Sequence, residues 1–299
     1  MRSIGIDLGG TKIAGIVIEA GGAQSFEHRV ATPQGDYAAT VAAVVSLIRR
    51  LEEEAGESLP VGIGTPGAVS TKTGAMKNCN SACLNGRFLR EDIERALGRP
   101  VFIANDADCL ALSEAADGAG RGASTLFAAI LGTGVGGGIV ANGHLLRGAN
   151  GIAGEWGHNA LPGLGEYFLD ERRACYCGRR NCIETYLSGP GLSRTYASFG
   201  GREISAQDVV SLAASDAQAA AALSRYQEQL AAALAQIINI LDPAVIVLGG
   251  GLSKIAGLYQ RVPPLWQRHV FSDSVGTTLL PARFGDASGV RGAARLCWD

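Results

Sequence analysis

One pattern occurs twice in this chain, and a chain that repeats itself in this way predicts two units of the same build. Ile4 to Leu8 is an apolar run that breaks at Gly9-Gly10-Thr11 and resumes as Lys12 to Ile18. Ser124 to Leu131, Gly132-Thr133-Gly134 and Gly136 to Val140 repeat the scheme. Each half then holds a later run, Val61 to Gly64 or Val245 to Leu248, that stops in a second turn of small residues, Thr65-Pro66-Gly67 or Gly249-Gly250-Gly251. Runs of this length bounded by glycine read as strands. The 299 residues of the chain exceed one typical domain of about 100 to 150, so the repeat and the length agree.

Between the repeats the patterning is helical. Asp36 can cap a helix whose stripe is Val41, Val44, Val45, Ile48 and Leu51, and Glu91 to Leu97 reads as a second helix. Val101 to Ala104 reads as a strand that delivers Asn105-Asp106 at its C-terminal end, where a helix through Leu110 to Ala116 begins. Open α/β sheets place their chemistry at such junctions. As a structural feature alone, Asp106 would be an N-cap. Asn142-Gly143 signals a hairpin. Ser205 to Asp208 and Ser215 to Gln218 fit capping boxes, and Leu223, Tyr226, Leu230, Leu234, Ile237, Ile238 and Leu241 form a long stripe ended by Asp242-Pro243. The alanines of that helix suit either a core or a dimer face. Gly289 to Leu296 reads as a last short helix.

Three of the seven cysteines, Cys175, Cys177 and Cys182, fall within eight residues, and His158, one of four histidines, lies upstream. Three thiolates and one imidazole make a closed tetrahedral set for structural zinc. The alternative is three small, partly buried thiols without a metal. In either case Glu155, three residues before His158, and Glu184, two after Cys182, are fixed with them, and two carboxylates can accept hydrogen bonds from a polyhydroxylated ligand.

A net charge of −2 with only four lysines argues against a nucleic-acid or anionic-membrane surface. No run approaches the roughly 18 to 20 apolar residues of a membrane helix, and Met1-Arg2-Ser3 leads directly into the first strand without the apolar stretch of a signal peptide. A cytoplasmic, reducing location is expected, with Cys79, Cys83, Cys109 and Cys297 as free thiols.

Asp7-Leu8-Gly9-Gly10-Thr11-Lys12 sets a carboxylate at a strand end and follows it with a turn small enough for backbone amides to face a phosphate, with Lys12 as a cation. Gly132-Thr133-Gly134 is a second such turn. Gly249-Gly250-Gly251 is a third that can let a flat nucleobase approach the backbone. Residues 132 to 137 also match G-x-G-x-x-G, but a dinucleotide site needs a helix straight after the glycines, and Ile139-Val140 and Asn142-Gly143 predict a strand and hairpin instead. No Gly-Lys pair, and so no Walker A motif, occurs.

Taken together, Asp7 to Lys12, Asn105-Asp106, Glu155 to His158 and Cys175 to Cys182 resemble the signatures of the ROK family of sugar kinases, across nearly the whole chain. Lys77-Asn78, Ala153-Gly154-Glu155-Trp156-Gly157-His158-Asn159 and Leu161-Pro162 look closest to fructokinase and mannokinase members, with N-acetylglucosamine kinases similar. The resemblance implies an α/β fold of two actin-like (ribonuclease H-like) ATPase domains with an interdomain cleft. The expected bounds are 1–117 and 118–287, with a C-terminal helix 288–299 packing back on the first. It implies Asp106 as the catalytic base, and Asn80, Asn105, Asp106, Glu155, His158 and Glu184 as sugar contacts. Asp7, Gly9, Gly10, Thr11, Lys12, Gly132, Thr133, Gly134, Gly249, Gly250 and Gly251 would serve ATP and Mg²⁺, and His158, Cys175, Cys177 and Cys182 would hold Zn²⁺. Asn181 stands where the family often has Gly, and Asp108 where Asn is frequent; Asn tolerates the left-handed turn.

The implied activity is ATP-dependent phosphorylation of a hexose at its 6-hydroxyl, with fructose first, mannose beside it, and N-acetylglucosamine or glucose as alternatives. A homodimer is expected, and neither nucleic acid nor membrane as a partner. From another class, the family's sugar-responsive transcriptional regulators carry a helix-turn-helix ahead of the first strand, where this sequence has three residues before Ile4.

Overall fold

A computed structural model describes residues 1–163, 172–255 and 257–298. Part of the loop expected between His158 and Cys175, and residue 299 of the expected last helix, lie outside them. Contacts divide the chain into two compact units, the first made of Met1–Gly122, Gly138–Ala153 and Asp286–Asp299, the second of Ala123–Gly137 and Gly154–Gly285.

The first unit opens on an antiparallel meander of the two expected strands and a third: β1 (Ser3–Leu8), β2 (Lys12–Ile18) and β3 (Gln24–Ala31). Helix α1 (Tyr37–Ala55) follows, its Ala39 amide capped by Asp36 and its end turned by Gly56 at φ 72°. Then come β4 (Val61–Thr65), the short hairpin β5 (Ala68–Val69) and β6 (Met76–Lys77), α2 (Leu89–Leu97), β7 (Phe102–Asn105) and α3 (Asp106–Ala116). The sheet order is β3-β2-β1-β4-β7, with β1, β4 and β7 parallel. Ile6, Ile13, Ile48, Leu51 and Ile63 pack between this sheet and α1.

The second half repeats that order. β8 (Thr125–Leu131), β9 (Val135–Ala141), β10 (His144–Leu145), β11 (Val245–Gly249) and β12 (Thr278–Pro281) lie as β10-β9-β8-β11-β12, with β8, β11 and β12 parallel. The β9–β10 turn has both residues left-handed, Asn142 at φ 51° and Gly143 at 83°, as its Asn-Gly pair requires.

Helices α4 (Glu184–Leu187), α5 (Gly189–Ser198), α6 (Ala206–Leu212), α7 (Ala217–Leu241) and α8 (Leu258–Trp266) belong to the second unit. The alanines of α7, including Ala222 and the run Ala231 to Ala233, are buried in its core, which settles the choice between core and dimer face for those residues. Its cap is Asp216, which accepts from the Gln218 and Ala219 amides, in place of the expected Ser215. A carboxylate one residue closer reaches two of the four unpaired amides of the first turn.

The last helix, α9 (Ser288–Arg295), packs against β1, β4 and α3 of the first unit. Contact is close enough that a Cβ on Gly5 would strike the Val290 carbonyl, and one on Gly292 the Cys109 carbonyl. Asp117 accepts from Arg291 Nη2 at 2.9 Å and Arg295 Nη2 at 2.6 Å, and Ser3 Oγ donates to the Ala294 carbonyl at 2.9 Å.

Candidate active site

In the first unit the parallel strands carry the expected residues to one end of the sheet. Asp7 pairs in register with Gly64, and Thr65 with Asn105, so the turns after β1, β4 and β7 emerge together. The β1–β2 turn is tight: Gly9 N–H donates to the Lys12 carbonyl at 3.0 Å, and Thr32 Oγ1 donates to the Gly9 carbonyl at 2.7 Å. Gly10, Thr11 and Lys12 are exposed. Burial pushes the Asp7 carboxyl above the usual carboxylate range, against the pull of Lys12.

Asn105 and Asp106 divide the junction between them. Asn105, not Asp106, caps α3: its Oδ1 accepts from the Ala107 amide at 2.8 Å, and its Nδ2 donates to the Gly67 carbonyl at 3.0 Å. An amide side chain has two donor hydrogens and two acceptor lone pairs, so one of each is left for a ligand. Asp106 is the first helical residue, with Oδ1 also accepting from the Ala107 amide at 2.8 Å. Asn80 is exposed on a loop locked by Asn85, which accepts from and donates to the Cys79 backbone at 2.9 Å each. The Ser81 hydroxyl lies 3.7 Å from where a Cβ on Gly10 would stand, so this loop adjoins the β1–β2 turn.

In the second unit the two glycine turns meet. Gly189 N–H donates to the Gly132 carbonyl at 2.8 Å, and Gly250, at φ 82°, lies so close to the Leu131 backbone that no side chain fits. A cavity of about 400 Å³ opens there, with Gly132, Thr133, Gly251, Pro190, Ser193 and Gln207 among its lining residues. The sequence reading missed Pro190, Ser193 and Gln207. The available signal was Ser188 followed by Pro190, a helix start that brings the α5 terminus to Gly132.

Glu155, His158, Glu184 and the cysteines form the other cluster of this unit. Trp156 anchors it from beneath: it is buried, donates from Nε1 to the Gly136 carbonyl at 2.8 Å, and meets Phe127 edge to face with centroids 5.6 Å apart. Antiparallel bridges join Ala160 to Cys182 and Ala174 to Arg180. Asn181 takes φ 57°, the left-handed turn, and its Oδ1 accepts from the Arg173 amide at 2.8 Å and the Tyr186 hydroxyl at 3.1 Å, contacts a glycine could not make. Arg173 is buried and donates to the Thr185 and Gly191 carbonyls at 2.8 and 3.0 Å, tying this turn to α4 and α5. Glu184 starts α4 and accepts from the Val135 amide at 2.9 Å, immediately after the Gly132–Gly134 turn.

The ligand atoms of His158, Cys175, Cys177 and Cys182 all lie within 4.8 Å of one another. His158 Nδ1 is 3.6 Å from Cys175 Sγ, and Cys177 Sγ is 3.6 Å from Cys182 Sγ. Zn–S bonds of about 2.3 Å and Zn–N bonds of about 2.0 Å at tetrahedral angles require separations of about 3.5 to 3.8 Å. The four residues therefore fit a tetrahedral metal. Burial, then the neighbouring thiols, pushes Cys182 up to about 12. Burial also acts to raise Cys177, but hydrogen bonds from the Arg179 backbone and side chain and from the other thiols bring it down to about 6. Three crowded thiols of this kind do not ionise together without a cation to neutralise them.

The sequence profile of the ROK family matches residues 3–299. The chain belongs to the ROK family. This ROK protein is 41% identical over 296 residues to the N-acetyl-D-glucosamine kinase of Photobacterium profundum, with 98% of each chain covered. Seven further bacterial N-acetyl-D-glucosamine kinases match over the same length at 37 to 39% identity. Among solved structures, the ROK hexokinase of Thermus thermophilus superposes with a TM-score of 0.86 at 31% identity, covering 100% of this chain and 98% of that one. A ROK glucokinase from Streptomyces griseus, in complex with glucose and AMPPNP, gives 0.80 at 28% identity and 99% coverage of each. The mixed α/β fold is that of the two-domain, actin-like ROK sugar kinases.

The nearer resemblance to fructokinase and mannokinase is not supported, since these relatives are N-acetyl-D-glucosamine kinases. Three positions of that motif are engaged within the fold. Lys77 donates from Nζ to the Asn150 carbonyl at 3.3 Å, Asn78 holds a left-handed turn at φ 59°, and Leu161 is buried with its amide on the Asn181 carbonyl at 2.9 Å. Among the described residues, no helix is long and apolar enough to cross a membrane.

Proposed function

We propose that this ROK protein transfers the γ-phosphoryl group of ATP to the 6-hydroxyl of N-acetyl-D-glucosamine. The observation that carries the reading is the similarity, over 98% of both chains, to proteins with that activity. Asp106 serves as the base. As the O6–P bond forms and the bond from phosphorus to the β-phosphate oxygen breaks, the hydroxyl proton passes to its carboxylate. Asp106 is the first residue of α3, at the C-terminal end of β7, which is where the resemblance puts the base.

By the family resemblance, Asn80, Asn105, Glu155, His158 and Glu184 are the residues assigned to sugar hydroxyls. Gly9, Gly10, Thr11 and Lys12, with Gly132, Thr133 and Gly134, present amides, hydroxyls and a cation to the phosphates. The cavity beside Gly251 takes the adenosine; Gly249 and Gly250 belong to the same turn, Gly250 packed against the Leu131 backbone, and are not among its lining residues. Asp7 is the carboxylate that would orient a nucleotide-bound magnesium ion, which would supply neutralising charge to the phosphates. His158, Cys175, Cys177 and Cys182 hold zinc as a scaffold for the sugar-reading carboxylates.

Coupled ADP-release assays with N-acetylglucosamine, glucose, mannose and fructose test this. The kcat/KM for N-acetylglucosamine is expected to exceed the others by at least about tenfold, because a site that pairs an amide group leaves polar atoms unpaired with sugars that lack it. A larger value for fructose would return the substrate to the motif-based reading, and turnover with none of the four would remove the kinase assignment.

A further inference from the structure

Tyr176 stands between two of the cysteines, yet its own side chain is 67% exposed. Its hydroxyl lies 3.0 Å from His158 Nε2, and the two rings meet edge to face with centroids 5.2 Å apart. The other ring nitrogen, Nδ1, is turned to Cys175 Sγ at 3.6 Å. Nε2 is therefore the one nitrogen of His158 left to meet a sugar hydroxyl, and Tyr176 occupies it. An ordinary phenol is neutral at neutral pH, so the group on His158 is an uncharged hydroxyl.

We propose that Tyr176 is a displaceable cap on the sugar site: without substrate its hydroxyl fills the place on His158 Nε2 that a hydroxyl of the hexose takes on binding, and the side chain moves aside as the sugar enters. The inference rests on the reading of His158 as a hexose ligand. The exchange replaces one neutral hydroxyl with another, so Nε2 is satisfied in both states and His158 is never left unpaired. The side chain is suited to the role because little of its surface is buried and it can leave without opening a cavity. Its presence lowers the apparent affinity for sugar, because the competent state is only the fraction in which the cap is off.

Removing the hydroxyl removes the competition. In calorimetric titrations, Tyr176→Phe is expected to bind N-acetylglucosamine about three- to tenfold more tightly than the wild type, the equivalent of one internal hydrogen bond. In steady-state assays the change falls in KM rather than in kcat. Tyr176→Leu, which also removes the ring contact, is expected to tighten binding at least as much. Metal content and melting temperature confirm that both variants keep the cysteine cluster. Equal affinity in wild type and Tyr176→Phe overturns the cap, and weaker binding by both variants shows Tyr176 to be a sugar contact instead. A wild type that binds and phosphorylates none of the hexoses overturns the reading of His158 as a sugar ligand, a failure distinct from the other two.

Discussion

Asp106 and Asn105 are adjacent and both polar, and both accept from the Ala107 amide at 2.8 Å, so mutation is needed to separate the roles proposed for them. Asn105 accepts from the Ala107 amide and donates to the Gly67 carbonyl, linking the start of α3 to the turn after β4. Its replacement by Ala is expected to cost about 1 kcal/mol or somewhat more in stability, the ordinary worth of a cap plus a second hydrogen bond. Asp106→Asn keeps the size and leaves the cap in place. It should lower kcat by about 10²- to 10⁴-fold, the usual contribution of a general base, with the hexose KM little changed and the melting temperature close to wild type. Measuring kcat, KM and melting for both variants separates the roles. An Asp106→Asn enzyme of near-normal turnover would end the assignment of the base.

The elements differ in how far they can be read from the chain. The glycine turns and their flanking strands are legible because apolar runs and small residues leave few alternatives, and Asp36, Gly56 and Asn142-Gly143 announce their ends chemically. The metal cluster is legible from spacing alone. α5 is hidden because Gly189-Pro190-Gly191 reads as a turn, although proline is tolerated in a helix's first turn. α8 is hidden because Pro263 and Pro264 lie inside it, and β12 because it is a short edge strand ending in Pro281. Sugar preference is the least legible, since it depends on how polar groups around the pocket match each sugar's substituents, which short sequence motifs do not encode. At the level of the element the cysteine turn makes its own prediction. Among the described residues it is held by two isolated bridges, a few backbone hydrogen bonds and the Asn181 and Arg173 contacts, without regular secondary structure, so a chelator strong enough to strip zinc should lower the melting temperature and raise the hexose KM by about 10- to 100-fold, because carboxylates supported through a zinc-bound histidine would lose that support. Nucleotide affinity, proposed to depend on the Gly132–Gly134 and Gly249–Gly251 turns, should change far less. Metal analysis finding no zinc in active enzyme would refute this account.

At the scale of the whole molecule, the last helix joins the end of the chain to its beginning at the site itself. α9 packs on β1 and β4, and a Cβ on Gly289 in its first turn would come within 3.3 Å of an Asp7 carboxylate oxygen. The chain thus uses its final residues to bury the charge that its first strand carries, and burial raises the Asp7 carboxyl above its ordinary value near 3.9. A raised folded-state value means that the native protein binds a proton more tightly than the unfolded chain. Stability therefore falls as pH rises from the unfolded value through the folded one, and the full cost persists at every pH above. Asp7→Asn removes that cost. It is expected to melt higher than the wild type at pH 7.5, with the difference shrinking as pH is lowered through that window, and to lose most magnesium-dependent turnover because the orienting carboxylate is gone. Melting curves across a pH series, with assays in parallel, check both halves. If Asp7→Asn melts no higher than the wild type at pH 7.5, the charge is not a buried liability retained for catalysis.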